Sequence, residues 1–314
     1  MLMAILLWVL ILIFSIFLLV KSADYFADSL ELIALALGAP MFIIGVTLAS
    51  VATSIPELAT GIAAILSHAP TAQDIISSNV IGSNIANIAL VVGLTAALLK
   101  IKVDWDVVKV DLPLFVGSAV FLGLAMLDKV FSRPEAILAV LGYILFLKYS
   151  LDTHKNHKVK NLPKTKIKAK YIIILILSLI GVFIGAKYCV ESVVNLAHAL
   201  GISSAIIAVT AIALGTSLPE LSVSISAALK GNHELSLGNI TGSNIFNIFM
   251  VMGVPGLIKS FSIPQSMIVF GYPFMIALSI LFVVMAMDRE LTRYEGFMLV
   301  LLYALFIVGI YSYV

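Results

Sequence analysis

Two short polar runs interrupt otherwise apolar stretches of this chain. Thr53, Ser54, Pro56 and Glu57 form the first, and Thr216, Ser217, Pro219 and Glu220 repeat it. On a helix, Thr53, Ser54 and Glu57 lie about one turn apart and share a face. Pro56 has no N–H, so the carbonyl of Ala52 loses its helical partner and the helix is expected to bend there. Pro219 does the same to the carbonyl of Gly215. A second pair of runs is Gly82-Ser83-Asn84-Ile85-Ala86-Asn87 and Gly242-Ser243-Asn244-Ile245-Phe246-Asn247. Ser83 and Asn87 are i and i+4, as are Ser243 and Asn247, so each pair shares a face. Asn84 and Asn244 fall one residue off that face and are expected to make structural hydrogen bonds. Brought together, these segments offer two carboxylates, several hydroxyls, amide oxygens and loosened carbonyls. All are oxygen donors, the set a hard cation prefers, and Ca²⁺ takes about six to eight of them.

A carboxylate at the centre of a bilayer costs roughly 2.5–3.5 kcal/mol, so two at matching positions point to ion binding. The remaining span-end acids, Asp24, Asp28, Glu31 and Glu191, read as helix-end charges facing Lys21 and Lys187. His68, His154, His157, His198 and His233 all map to loops or span ends, so neither a metal cluster nor a proton relay follows from them. An enzyme is not expected: Ser54 near Glu57 is the one faint nucleophile–base pair. Cys189 alone excludes an internal disulfide and reads as a packed thiol. No cofactor, nucleic acid or obligate protein partner is implied.

The elements that must carry these residues are membrane spans. Of 314 residues, 61% are hydrophobic and 11% charged, against about a quarter charged in soluble domains, and the mean hydropathy is +1.14. Apolar runs long enough for a bilayer core about 30 Å thick recur at 4–34, 40–67, 75–99, 109–127, 134–150, 170–198, 204–229, 235–258, 264–287 and 292–313. The first is read as a retained span, with no cleavable signal. Between the fifth and sixth lies a lysine-rich stretch, 151–169, read as a cytoplasmic linker and topology determinant. If the N-terminus faces out, the outer connections carry only Lys129, Arg133 and Lys259, and the other loop lysines and arginines fall inside. The positive-inside bias therefore places both termini outside the plasma membrane.

Residues 38–57 and 201–220 match at nine of twenty positions with an offset of 163, and the Gly-Ser-Asn runs match with an offset of 160. Each half, 1–150 and 170–314, holds five spans. Five is odd, so the second copy must enter the membrane upside down. The expected fold is all-α and polytopic, ten helices in two inverted five-helix repeats, the arrangement of alternating-access transporters with a midplane site. A channel would need a continuous path, which this arrangement disfavours.

The paired Thr-Ser-Ile/Leu-Pro-Glu and Gly-Ser-Asn-Ile-x-Asn segments resemble the alpha-repeats of the calcium/cation antiporter superfamily, and most of all those of prokaryotic Na⁺/Ca²⁺ exchangers. The resemblance implies a Ca²⁺ site between Glu57 and Glu220, with carbonyl ligands from Thr53 and Thr216. It implies flanking Na⁺ sites built from Ser54, Ser83, Ser217, Ser243 and the carbonyls of Ser50 and Ala213, with Asn87 and Asn247 central. It also implies that the first and sixth helices slide past the core. Some relatives carry Asp at the position of Asn247, which leaves Glu57 and Glu220 as the only core acids here. The transported ions would be Ca²⁺ and Na⁺, in contact with protein and lipid bilayer alone. H⁺/Ca²⁺ exchange, K⁺ co-transport or another divalent cation stay open as alternatives.

Overall fold

The structure is a computed structural model describing residues 2–67, 72–154, 168–199 and 204–310; the side chains of 2–4, 154, 197, 198 and 204–216 fall outside that description. Among the described residues the regular structure is helical apart from four two-residue strands. Among the described residues, eight helices are long and apolar enough to cross a membrane, or nine if one bent pair counts as a single span.

Two long helices stand at the side of the bundle. α1 (Leu2–Leu37) lies along α9 (Ala169–Ala199), joined by Leu19, Ala23, Phe26 and Ala27 against Val182 and Ala186. Gly185 permits this approach, since a Cβ there would sit 2.8 Å from the Leu19 amide nitrogen. In their most apolar windows only 17% and 22% of residues are buried, against 83% for Asp74–Leu98 and for His233–Ile258. Those last two spans are therefore the centre, and α1 and α9 turn most of their surface to lipid.

The first polar run sits on a broken helix. α2 (Met41–Ile44) widens into a π-helical turn at Gly45–Ala49 and continues as α3 (Ser50–Thr53). At Ser54 the backbone leaves helical geometry (φ −90°, ψ 8°), and α4 (Ile55–Leu66) departs with a bend of 43°. Pro56 in the first turn of α4 explains the break. The second run was expected on a broken helix as well. Instead α10 (Ser204–Leu229) runs unbroken with Pro219 inside it. A proline removes one backbone hydrogen bond, and the remaining ladder can carry the helix through.

The two central spans are built alike. α5 (Asp74–Ala86), a π turn at Asn87–Val92 and α6 (Gly93–Leu98) form one; α11 (His233–Phe246), a π turn at Asn247–Val251 and α12 (Met252–Ile258) form the other. α7 (Leu112–Ala125) and α13 (Tyr272–Ala286) are each preceded by a π turn, and α8 (Arg133–His154) and α14 (Arg293–Ile310) complete the bundle.

The strands join the halves. β1 (Ile101–Lys102) pairs antiparallel with β4 (Glu290–Leu291), and β2 (Val130–Phe131) with β3 (Phe261–Ser262). Ile101 faces Leu291 in one ladder and Phe131 faces Phe261 in the other, so moving the first-half partner forward by 160 and the second-half partner back by 160 turns one pair into the other. The same offset relates the two non-glycine residues with positive φ, Lys129 and Arg289. Their carbonyls accept from the amides of Ile263 and Val103, each at 2.9 Å. It also relates two capping boxes, in which Glu135 accepts from the Ser132 amide at 2.6 Å and Glu295 from the Thr292 amide at 2.7 Å.

Two expectations about acids need correction. Lys21 does approach Asp24 and Lys187 approaches Glu191, at 4.0 and 3.8 Å. Asp28 and Glu31 have other partners: Lys230 Nζ lies 2.6 Å from Asp28 Oδ1, and Asn232 donates to Glu31 at 2.7 Å. Ser226 donates to Asp24 at 2.6 Å. These acids tie α1 to the α10–α11 turn, because their spacing along α1 sets them on the face that meets it. Nor are Glu57 and Glu220 the only core acids. Asp111 is fully buried and accepts from Ser150 at 3.1 Å.

Candidate cation site

Where α3, α4, α5, α10 and α11 meet, the polar residues of both runs converge out of reach of solvent. Glu57 and Glu220 are each 1% exposed, and Thr53, Ser54, Ser83, Asn87, Ser217, Ser243 and Asn247 are all buried. The break at Ser54 does the positioning: it ends α3 with Thr53 on one side and starts α4 with Glu57 in its first turn.

Several contacts cross between the halves. Ser54 Oγ donates to Glu220 Oε1 at 3.3 Å. Thr53 Oγ1 lies 3.5 Å from Ser243 Oγ, and Asn247 Nδ2 donates to Asn84 Oδ1 at 3.4 Å. Ser54 is the N-cap residue of α4, whose first turn carries Glu57, so its contact with Glu220 brings that carboxylate to the same end of the helix. Ser50 is buried; its hydroxyl donates to the Val46 carbonyl, and its own carbonyl accepts from Thr53 Oγ1 at 3.4 Å. Thr216 and Ala213 lie on α10, but their side chains fall outside the described residues. The candidate ligands thus come from Ser50 through Glu57, from Ser83 to Asn87, from Ser217 to Glu220 and from Ser243 to Asn247.

Oxygen atoms remain over. Among the described residues, Glu57 Oε2, Glu220 Oε2, Ser217 Oγ, Asn87 Oδ1 and Asn247 Oδ1 are buried with no hydrogen-bond partner. A buried acceptor without a partner costs about 1–3 kcal/mol, more when charged. Two buried carboxylates with spare oxygens are a costly arrangement for protein alone, and a cation among them offsets their charge and supplies the missing contacts. Among the described residues no three His, Cys, Asp or Glu side chains cluster as metal ligands. Any cation here is therefore held by two carboxylates supplemented with hydroxyl, amide and backbone oxygens, a hard and modestly charged cage.

Asn87 and Asn247 each open a π turn. Such bulges widen the helix locally and are frequent at functional sites. Asn84 and Asn244 make hydrogen bonds of the structural kind, Asn84 to Met275 Sδ at 3.7 Å and Asn244 to the Ile240 carbonyl at 3.1 Å. Asn84 also receives Asn247, a contact that spacing along one helix could not reveal.

Sequence reasoning missed Asn79 and Asn239. Both are buried, and each donates to the backbone carbonyl of the glutamate in its own half, Glu57 at 3.5 Å and Glu220 at 3.4 Å. The signal was present. Asn79-Ser83-Asn87 and Asn239-Ser243-Asn247 are three-residue i, i+4 ladders, one turn longer than the Ser–Asn pairs.

A family described as "Sodium/calcium exchanger protein" matches residues 7–151 and 170–312. The sodium/calcium exchanger MaX1 of Methanosarcina acetivorans is 36% identical over 96% of this chain and 98% of its own length. The inner membrane protein YrbG of Escherichia coli is 33% identical over 89% of both chains. A solved structure of the sodium–calcium exchanger NCX_Mj aligns with a TM-score of 0.83 at 30% identity, covering 97% of this chain and 99% of that one.

Proposed function

We propose that this chain, which belongs to the sodium/calcium exchanger protein family, exchanges Na⁺ for Ca²⁺ by alternating access. The ions bind at a midplane site between Glu57 and Glu220. The observation that carries this reading is the pair of fully buried carboxylates with unpartnered oxygens, set among hydroxyls and amides from both halves. Two carboxylates cancel one Ca²⁺, so the calcium-loaded core is close to neutral. More than two Na⁺ would leave it positive and make exchange respond to membrane potential.

In this reading α10 supplies a tenth span, and the halves 1–150 and 170–314 are inverted copies joined by the linker 151–169. The 160-residue offset that exchanges the strand pairs, the positive-φ residues and the capping boxes supports that relation. An inverted pair places ligands from both copies at one interface, as alternating access requires. The lysine distribution supports a plasma-membrane orientation with both termini outside. Thr53, Ser54, Ser83, Ser217, Ser243, Asn87 and Asn247, with Thr216 and the carbonyls of Ser50 and Ala213, complete the ligand set for Ca²⁺ and Na⁺.

The unpartnered oxygens of both glutamates also suit protons, which favours H⁺/Ca²⁺ exchange as the second reading. Purified protein in proteoliposomes distinguishes them through ⁴⁵Ca²⁺ uptake under separately imposed Na⁺, K⁺ and pH gradients. Uptake driven by the Na⁺ gradient alone is expected. Uptake that ignores Na⁺ and follows pH would replace the proposal with proton coupling.

A further inference from the structure

A hydroxyl group binds a cation through its oxygen lone pairs, so its hydrogen must point elsewhere and needs an acceptor of its own. In a site rich in Ser and Thr, whatever takes those hydrogens decides which way the lone pairs face.

Asn79 and Asn239 occupy that position in the two halves. Asn79 Nδ2 lies 3.5 Å from the Glu57 carbonyl oxygen. Asn239 Nδ2 lies 3.4 Å from the Glu220 carbonyl oxygen and 2.9 Å from Ser224 Oγ. A carbonyl only accepts, so the amide nitrogen must face it, and the amide oxygen must face the other way. There Asn79 Oδ1 accepts from Ser83 Oγ at 3.4 Å, and Asn239 Oδ1 accepts from Thr53 Oγ1 at 3.3 Å. The orientation of each amide is thus fixed by its neighbours, and each amide oxygen is an acceptor for the hydroxyl hydrogen beside it.

We infer that Asn79 and Asn239 are positioning residues of the cation site, Asn79 holding the Ser83 hydroxyl with its lone pairs toward the ion and Asn239 holding Thr53 in place through its hydroxyl. They touch the glutamates only through the backbone, so they act on the cation through other ligands. The inference rests on the cation-site reading above. Outer-shell partners of this kind are worth about 10–100-fold in metal affinity.

The test is Ca²⁺ binding to the purified full-length chain, with Asn79→Leu, Asn239→Leu, Ser83→Ala and Thr53→Val, and the doubles N79L/S83A and N239L/T53V. Each single asparagine variant is expected to raise the Ca²⁺ Kd about 10–100-fold. Each double should bind no more weakly than S83A or T53V alone, because the asparagine acts through that hydroxyl. A general packing role would instead give additive losses. Where leucine prevents folding, Asn79→Ala and Asn239→Ala remove the same groups without adding bulk, and carry the same expectation. Additive losses, or an unchanged Kd in folded single variants, overturn the inference and leave the cation site standing. Failure of the wild-type chain to bind Ca²⁺, or full binding by Glu57→Gln, would bring down the site itself.

Discussion

Gly242 heads the second Gly-Ser-Asn run, and alanine there should loosen the contact between α11 and the broken helix. At Gly242 a Cβ would sit 2.6 Å from Ser50 Oγ and 2.8 Å from both Ser50 Cβ and Val46 Cα. Carbon contacts normally settle near 3.5–4.0 Å, so α11 and the broken helix would have to separate by roughly 0.7–1 Å. Overpacking of this kind costs about 1–3 kcal/mol. Glycine to alanine inside a helix gains about 1 kcal/mol, which offsets part of that cost. Gly242→Ala should therefore leave the protein up to about 2 kcal/mol less stable than the wild type. Thermal unfolding of the detergent-purified variant beside the wild type measures the difference. Because α11 carries Asn239, Ser243 and Asn247, G242A should also weaken Ca²⁺ binding. A G242A protein about 1 kcal/mol more stable than the wild type, the helix gain with no packing cost, would refute the reasoning.

Glu57→Gln and Glu220→Gln each remove one charge from the cage. At about 4 Å and an effective dielectric near 20, one charge pair is worth ~4 kcal/mol, so Ca²⁺ affinity should fall by about a thousandfold, read from ⁴⁵Ca²⁺ binding and flux. Lys230→Met breaks the contact with Asp28 that ties α1 to the α10–α11 turn. That pair is partly exposed and should be worth only ~0.2–1 kcal/mol, so a small loss of thermal stability that vanishes in high salt is expected. Glu135→Ala and Glu295→Ala each remove the carboxylate half of a capping box. Each should lower stability by roughly 0.5–2 kcal/mol and leave Ca²⁺ affinity unchanged in a binding titration.

Length and apolarity made the spans readable: 75–99 and 235–258 fall within two residues of Asp74–Leu98 and His233–Ile258. The convergence of Thr53, Ser54 and Glu57 with Ser217, Glu220 and Ser243 was readable from self-similarity, since polar residues repeated inside apolar runs have few other reasons to persist. Other features depend on tertiary contacts that no single window contains. Pro56 and Pro219 occupy equivalent places, yet one helix breaks and the other continues. The π turns at Asn87 and Asn247 arise from ordinary helical sequence. Asp111 lay inside an expected span, but its burial depends on Ser150 from another helix. Asn79 and Asn239 extend ladders visible in the sequence, but their contacts with the Glu57 and Glu220 carbonyls lie on other helices.

Most of the tightest approaches in the bundle join the first half to the second. Gly238 packs against Phe42 and Gly45, Gly256 against Ala136 and Phe131, and Gly296 against Gly93 and Ala97, while both ladders run from one half to the other. Neither half has a complete interior of its own. Cohesion therefore does not depend on covalent continuity through 151–169. Two separately translated fragments, cut within that stretch, would each present surfaces fitted only to the other, and would reconstitute the whole on meeting in one membrane.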